Sequence, residues 1–268
     1  MTEPAMKNKL HNVPLQKEDR ELLGALPKLP KAWNLYSRPE SVSVDWHKTE
    51  NQGNMGSCRG HSGTSGLERL QYVRNGGNAD AVVQLSEIFF YLACQKIDGL
   101  LGRDIGSTIS AGYKLALNYG CLPASVTGYP SSYPSRSQRN RILRKANYEA
   151  GAPYKAQSGR RVPDDPDEAM NFIGGGGVID FGCAFWRGFF PPDRVIKRYR
   201  VPSGRTGGHA MIALGYTSEG YISCVNSHGD GEYQWKPDAW RQMIRHKRTS
   251  AVGYIGVEEP EPIPWSLW

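Results

Sequence analysis

Asn51-Gln52-Gly53-Asn54-Met55-Gly56-Ser57-Cys58 runs directly into Arg59-Gly60-His61-Ser62-Gly63-Thr64-Ser65-Gly66-Leu67-Glu68-Arg69-Leu70. The part up to Cys58 has loop chemistry, with amide side chains and glycines and no apolar run. The part after it fits a helix that reaches apolar Leu67, Leu70 and Val73 and stops at Gly76-Gly77. Cys58 then stands at a helix N-terminus, where unpaired backbone N–H groups and the macrodipole favour an anion. A thiolate is such an anion, and this position lowers the pKa of a cysteine. Gln52, a short way upstream, is placed to offer a side-chain N–H to a negative oxygen forming beside the sulfur. The stretch holds a candidate nucleophile and half of a candidate oxyanion hole.

A nucleophilic thiol needs a base, and the second half of the chain supplies one. Gly207-Gly208-His209-Ala210 opens a strand-like run to Tyr216, and Thr217-Ser218-Glu219-Gly220 reads as a hairpin turn into Tyr221 to Val225. Folding that hairpin brings His209 beside Asn226. A lone histidine is more often structural than catalytic. This one follows two glycines, which leave room for a substrate chain. In chemical terms His209 takes the Cys58 proton and later donates one to a leaving amine, while Asn226 orients the imidazole.

Gln52-Gly53 followed by Gly56-Ser57-Cys58 at a helix start, with histidine and asparagine far downstream, resembles the papain-like cysteine peptidases. Their local signature is Cys-Gly-Ser/Ala-Cys-Trp/Tyr, with His and Asn about 130–150 residues later. The resemblance covers roughly residues 40–257. It implies a two-lobed α+β fold, with a helical first lobe over about 41–125 and a β-rich, antiparallel barrel-like second lobe over about 126–257. The active site lies in the cleft between them. Residues 1–40 become an N-terminal arm and 258–268 a surface tail. The implied reaction is hydrolysis of a peptide or protein substrate through a thioester acyl-enzyme, with no metal and no cofactor. The resting state implied is a thiolate–imidazolium pair. Gly106-Ser107 matches the family's glycine loop that binds peptide backbone, with serine for the second glycine; Gly208 and Ala210 border the substrate. Two positions depart from the pattern. Arg59 replaces the aromatic that follows the nucleophile, and His228 replaces the tryptophan that shields the Asn–His bond from water. These departures keep a second reading open: a phage or bacterial assembly protein with a weak or vestigial cleft. A cell-wall amidase, which also uses Cys then His, is a third.

Composition narrows the setting. The 268 residues carry a formal charge of +7, 39% hydrophobic residues and 31 glycines, which suits a loop-rich α+β protein better than a helical bundle. The basic run Arg136 to Lys145 lacks interleaved aromatics and reads as a solvated face rather than a nucleic-acid grip. Five dispersed cysteines form neither a disulfide framework nor a zinc pattern. Cys94, Cys121, Cys183 and Cys224 lie in apolar elements and read as small core hydrophobes. Met55 stands where related enzymes of oxidising compartments place a disulfide cysteine. The expectation is therefore a cytoplasmic protein, virion association included as an option, without signal peptide or membrane span.

The rest of the chain follows the same division. Ser86 caps a predicted helix to about Gln95. Gly102 to Ser107 opens another, with its stripe at Ile109, Tyr113, Ala116 and Leu117 ending at Gly120. Prolines over 123–134 mark the lobe boundary. Asp165-Pro166 starts a short helix, and Val178–Trp186 and Gly253–Val257 read as strands.

Overall fold

The computed structural model describes Leu22, residues 25–28 and residues 38–256. Most of the N-terminal arm and the tail 258–268 lie outside the described residues.

Helix α1 spans Cys58–Arg74, and its first half is nearly all glycine, serine and threonine. Those small residues are there for packing. A Cβ on Gly60 would come within 2.3 Å of the Glu87 carbonyl oxygen, and one on Gly63 within 2.2 Å of Phe90. Helix α2, Glu87–Ile97, therefore lies unusually close to α1, capped by Ser86 Oγ accepting from Phe89 N–H at 3.1 Å. Helix α3 covers Ile109–Asn118, with Thr108 as its cap. It starts later than the sequence suggests. The Asp98 carboxylate accepts from Ser107 Oγ (2.6 Å), Thr108 N (2.8 Å) and Thr108 Oγ1 (2.8 Å), holding 102–107 as a loop. Two short helices, α4 (Arg136–Ile142) and α5 (Lys145–Gly151), carry the basic run, whose charged ends mostly face solvent while Ile142 and Leu143 turn inward.

The second part is a sheet of β1 (Ser158–Arg160), β2 (Val178–Phe185), β3 (Val195–Ile196), β4 (Gly207–Tyr216), β5 (Ile222–Val225), β6 (Glu232–Trp235) and β7 (Ser250–Ile255). Its order is β1-β7-β2-β4-β5-β6-β3, antiparallel except for the β3–β6 pair. The predicted hairpin is β4–β5. Alternate residues of β4 enter different cores: Ala210, Ile212 and Leu214 face α1 and α2, whereas Met211 and Ala213 join Phe181, Trp235 and Trp240 on the opposite face. Helices α6 (Pro166–Gly174, capped by Asp165) and α7 (Pro237–Ile244) cover that second face. Truncating a fully buried ring such as Phe90 or Trp240 to alanine costs about 3–5 kcal/mol. Among the described residues no helix is long and apolar enough to cross a membrane.

Helix α1 and strand β4 meet directly. A Cβ on Gly66 would lie 2.6 Å from Ile212. This contact sets the head of the cysteine helix against the head of the histidine strand.

A buried ion pair locks the same junction. Arg59, fully buried, reaches Asp180 of β2 at 2.5 Å, with Ser62 Oγ accepting from its other terminal nitrogen at 2.6 Å. Gly112 of α3 makes room, since a Cβ there would sit 1.8 Å from the guanidinium. Arg59 is thus an interior tie between helix and sheet.

Candidate active site

Cys58 is the first residue of α1 and only 2% exposed. Burial pushes its thiol pKa up. The backbone N–H of Ala210, the Arg59 guanidinium and the N–H groups of Arg59 and Cys58 pull it back without cancelling that effect. The Ala210 contact places the sulfur beside the residue that follows His209.

His209 Nε2 meets Asn226 Oδ1 at 2.8 Å. Asn226 is itself held, because its Nδ2 donates to Asp230 Oδ1 at 2.7 Å, and Asp230 Oδ2 accepts from Tyr233 Oη at 2.7 Å. This chain decides a proton. A carboxylate only accepts, so the amide nitrogen must face Asp230 and the amide oxygen must face the imidazole. Nε2 therefore carries the hydrogen, and Nδ1 is left as the basic nitrogen. The loop reaches back this way because Gly229 and Gly231 adopt φ of +81° and +79°, open to glycine without strain.

Around His209 the walls are aromatic. His228 stacks on it with centroids 4.6 Å apart and planes 27° apart, and Phe185 and Phe190 approach at 5.1 and 6.0 Å. The shield at the Asn–His bond is thus shared by His228 and two phenylalanines. Burial, with the neighbouring His228 adding to it, holds the His209 pKa down to about 3. Burial also lowers that of His228. The thiolate–imidazolium resting state expected from the sequence is opposed by these directions. In a closed, dry site each charge is penalised by lost hydration, which disfavours the charged form of both groups.

Gln52 is fixed at both ends. Its Nε2 donates to Met55 O at 2.8 Å and its Oε1 accepts from Ser227 Oγ at 2.6 Å. One amide hydrogen remains for another acceptor. The backbone joins too, with Gln52 N–H donating to Ser227 O at 2.7 Å. Gln52 thereby spans the cysteine loop and the asparagine loop.

The other predicted positions are placed differently. Gly208 and Ala210 flank His209 on β4, opposite Ala184 and Gly182. Gly106 N–H donates to Tyr91 Oη at 3.2 Å and its carbonyl accepts from Gln95 Nε2 at 3.1 Å. Ser107 is fully buried with its hydroxyl on Asp98. Their loop connects to the cysteine loop through Gly56 N–H donating to Asp104 at 2.8 Å. All five cysteines are buried and free. Asp230, Phe185, Phe190 and Asp180 escaped the sequence reading. Asp180 carried a signal, a charge inside the apolar run Val178–Phe185, which only a buried partner makes tolerable. Asp230 sat between two glycines with nothing to say which way it pointed.

No family model matches the sequence, and no curated protein matches it. Solved structures do match. Xylellain, a cysteine protease from Xylella fastidiosa, superposes with a TM-score of 0.72 at 18% identity, over 94% of this chain and 97% of that one. The chain has the papain-like fold. Procathepsin B of Trypanosoma congolense shares the papain-like fold at a TM-score of 0.62 and 16% identity, over 93% of this chain and 87% of that one. The Carica candamarcensis cysteine protease CMS1MS2, solved in complex with E-64, aligns at 0.55 and 20% identity, over 81% of this chain and 98% of that one.

Proposed function

We propose that the protein is a cysteine peptidase with Cys58 as nucleophile, His209 as general base and acid, Asn226 as the orienting group and Gln52 in the oxyanion hole. The observation that carries the reading is the Nε2–Asn226 bond. It leaves the basic Nδ1 on a ring adjoining the residue whose N–H faces the Cys58 sulfur. In the reaction, Cys58 Sγ bonds to the peptide carbonyl carbon while its proton passes to His209 Nδ1. The tetrahedral oxyanion is met by the Cys58 N–H and the remaining Nε2 hydrogen of Gln52, each such donor being worth about 2.7–4 kcal/mol. Collapse breaks the C–N bond, and the imidazolium protonates the departing amine. Water, deprotonated by His209, then opens the thioester, releasing a carboxylic acid and restoring the thiol. Asp230 holds Asn226, and so the tautomer, through both steps. The Gly106 N–H and C=O and the Ser107 hydroxyl are already bonded within the fold, so a peptide bound at this loop would meet the Ser107 backbone or displace those bonds.

The test is labelling by an epoxysuccinyl inhibitor or iodoacetamide near neutral pH, with peptide mapping. Selective modification at residue 58, lost in His209→Ala, supports the peptidase; modification no faster than that of a denatured cysteine sinks it. A second reading, a binding protein with a quiescent cleft, is favoured by one observation: burial drives the Cys58 and His209 pKa values apart towards a neutral pair. Digesting denatured protein beside peptidoglycan separates peptidase, amidase and scaffold.

A further inference from the structure

Behind Gln52 lies a second polar cluster that the peptidase reading does not use. His47 and Glu50 come from the loop leading to Gln52, His61 and Glu68 from α1, and Glu87 from the start of α2. Ligand atoms of His47, Glu50 and Glu68 lie within 4.8 Å of one another, and so do those of Glu50, His61 and Glu87. His61 Nδ1 meets Glu50 Oε2 at 2.8 Å, and Glu68 Oε1 accepts from Leu85 N–H at 2.8 Å.

Three carboxylates converge here; Glu50 pairs with the His61 imidazole, and the nearby charge of Lys48 acts on Glu50 and Glu68. Nε2 of His47 and Nε2 of His61 are both buried without a hydrogen-bond partner; His61 is buried as a whole and His47 in part. An orphaned buried ring nitrogen costs free energy unless something meets it. Burial raises Glu50 and Glu68 well above the usual carboxylate range and holds both imidazoles down at about 4. A divalent cation would meet the converging carboxylates and take up the unpartnered ring nitrogen of His47.

We propose that His47, Glu50 and Glu68 bind one divalent cation of the zinc class, with His61 Nδ1–H orienting Glu50 from outside. One imidazole and two carboxylates are a zinc-type donor set that leaves a position for water. Ligating carboxylates are themselves held by outer hydrogen bonds, and the His61 imidazole is placed to hold Glu50 in this way. Drawing the three groups to bonds of about 2 Å pins the loop that carries Gln52 to the helix that carries Cys58. The site does not depend on the peptidase reading.

The test uses full-length protein carrying Cys58→Ala, so that no nucleophilic thiolate competes for metal. After stripping with EDTA it is titrated with Co²⁺ by visible absorption and with Zn²⁺ by calorimetry in two buffers. Expected are one equivalent bound, proton release, no sulfur-to-cobalt charge-transfer band, and a Tm that rises with Zn²⁺. His47→Gln and Glu68→Gln should each weaken binding at least about tenfold, and His61→Gln about tenfold through Glu50. Because Glu68→Gln risks misfolding, the looser His47→Gln carries the decision. Binding that is unchanged in folded His47→Gln overturns the proposal, as does the absence of any bound equivalent in the parent protein.

Discussion

Two polar networks meet at Glu50–Gln52, and they are built on opposite terms. In the chain Tyr233–Asp230–Asn226–His209 every donor meets an acceptor at 2.7–2.8 Å. One arrangement of protons satisfies it, so the imidazole tautomer is settled before any substrate arrives. In the cluster of His47, Glu50, His61, Glu68 and Glu87, carboxylates crowd together and two ring nitrogens find nothing. A satisfied network fixes geometry, whereas an unsatisfied one hands its charge state to whatever proton or ion the solvent supplies. The backbone couples the two, because Gly229 N–H donates to Glu50 O at 2.9 Å and Gln52 N–H to Ser227 O at 2.7 Å.

The sharpest break comes from removing the reacting groups. Cys58→Ala and His209→Ala should each abolish epoxysuccinyl labelling and cut hydrolysis of a denatured protein by about 10³-fold or more. Hydrolysis that survives Cys58→Ala ends the peptidase reading, whatever the geometry. Next is Asp230→Asn, which keeps the shape but lets the Asn226 amide turn over. Loss of such an outer support typically costs about 10–100-fold. The loss should fall on kcat with KM little changed, and Asp230→Glu should recover part of it. Equal losses in kcat and in thermal stability would make Asp230 a fold residue only.

Stability offers a different contrast, at the buried ion pair Arg59–Asp180. Arg59→Leu leaves Asp180 as an uncompensated buried charge and should cost about 3–5 kcal/mol by denaturant unfolding. Replacing Asp180 by leucine as well should restore much of it. If the double variant is no better than the single one, the pair contributes more than charge compensation.

The pH dependence of stability weighs the two networks against each other. Burial lowers His47 and His61 to about 4 and His209 to about 3, and it lowers His228 as well. Below about 6.5 the unfolded chain takes protons that the folded chain refuses, so these histidines lose stability as pH falls. Glu50 and Glu68 are raised, so above about 4.5 the folded chain keeps protons that the unfolded chain releases, and their contribution fades as pH rises. Between those values the histidines outnumber the acids. Tm of metal-free protein should climb from about pH 4.5 towards about 6.5, less steeply than the histidines alone would give because the raised carboxylates oppose them. A Tm that falls as pH rises through this window would contradict the lowered histidines.

How much of this was legible follows the same divide between local and non-local chemistry. The cysteine loop, the Ser86 cap, the Asp165-Pro166 helix start and the β4–β5 hairpin are written in contiguous residues, and each is where local rules put it. Helix α3 begins later than expected because Asp98, remote in sequence from its cap, binds the loop ahead of it. Arg59 reads as a misfit beside a nucleophile until Asp180 and the bare Gly112 are brought to it by the fold. His47, Glu50, His61, Glu68 and Glu87 follow no ligand spacing, since three separate elements deliver them. The resting ion pair was expected from the helix position of Cys58 together with the family resemblance, and burial, invisible in sequence, opposes it.

The smallest effect is expected at His228. Its ring stacks on His209, and its electrostatic influence lowers the His209 pKa. A phenyl ring keeps the stack between Phe185 and Phe190 but cannot take a proton. His228→Phe should therefore leave stability near neutral pH almost unchanged while removing one source of repulsion against the His209 imidazolium. With that repulsion gone, the imidazolium forms more readily when Cys58 gives up its proton. The acid limb of the kcat/KM profile, and of Cys58 alkylation, should move to higher pH. Asp230→Asn in the same background should still lower the rate, because orientation and repulsion reach His209 by separate routes. An acid limb that does not move would assign it to a group other than His209.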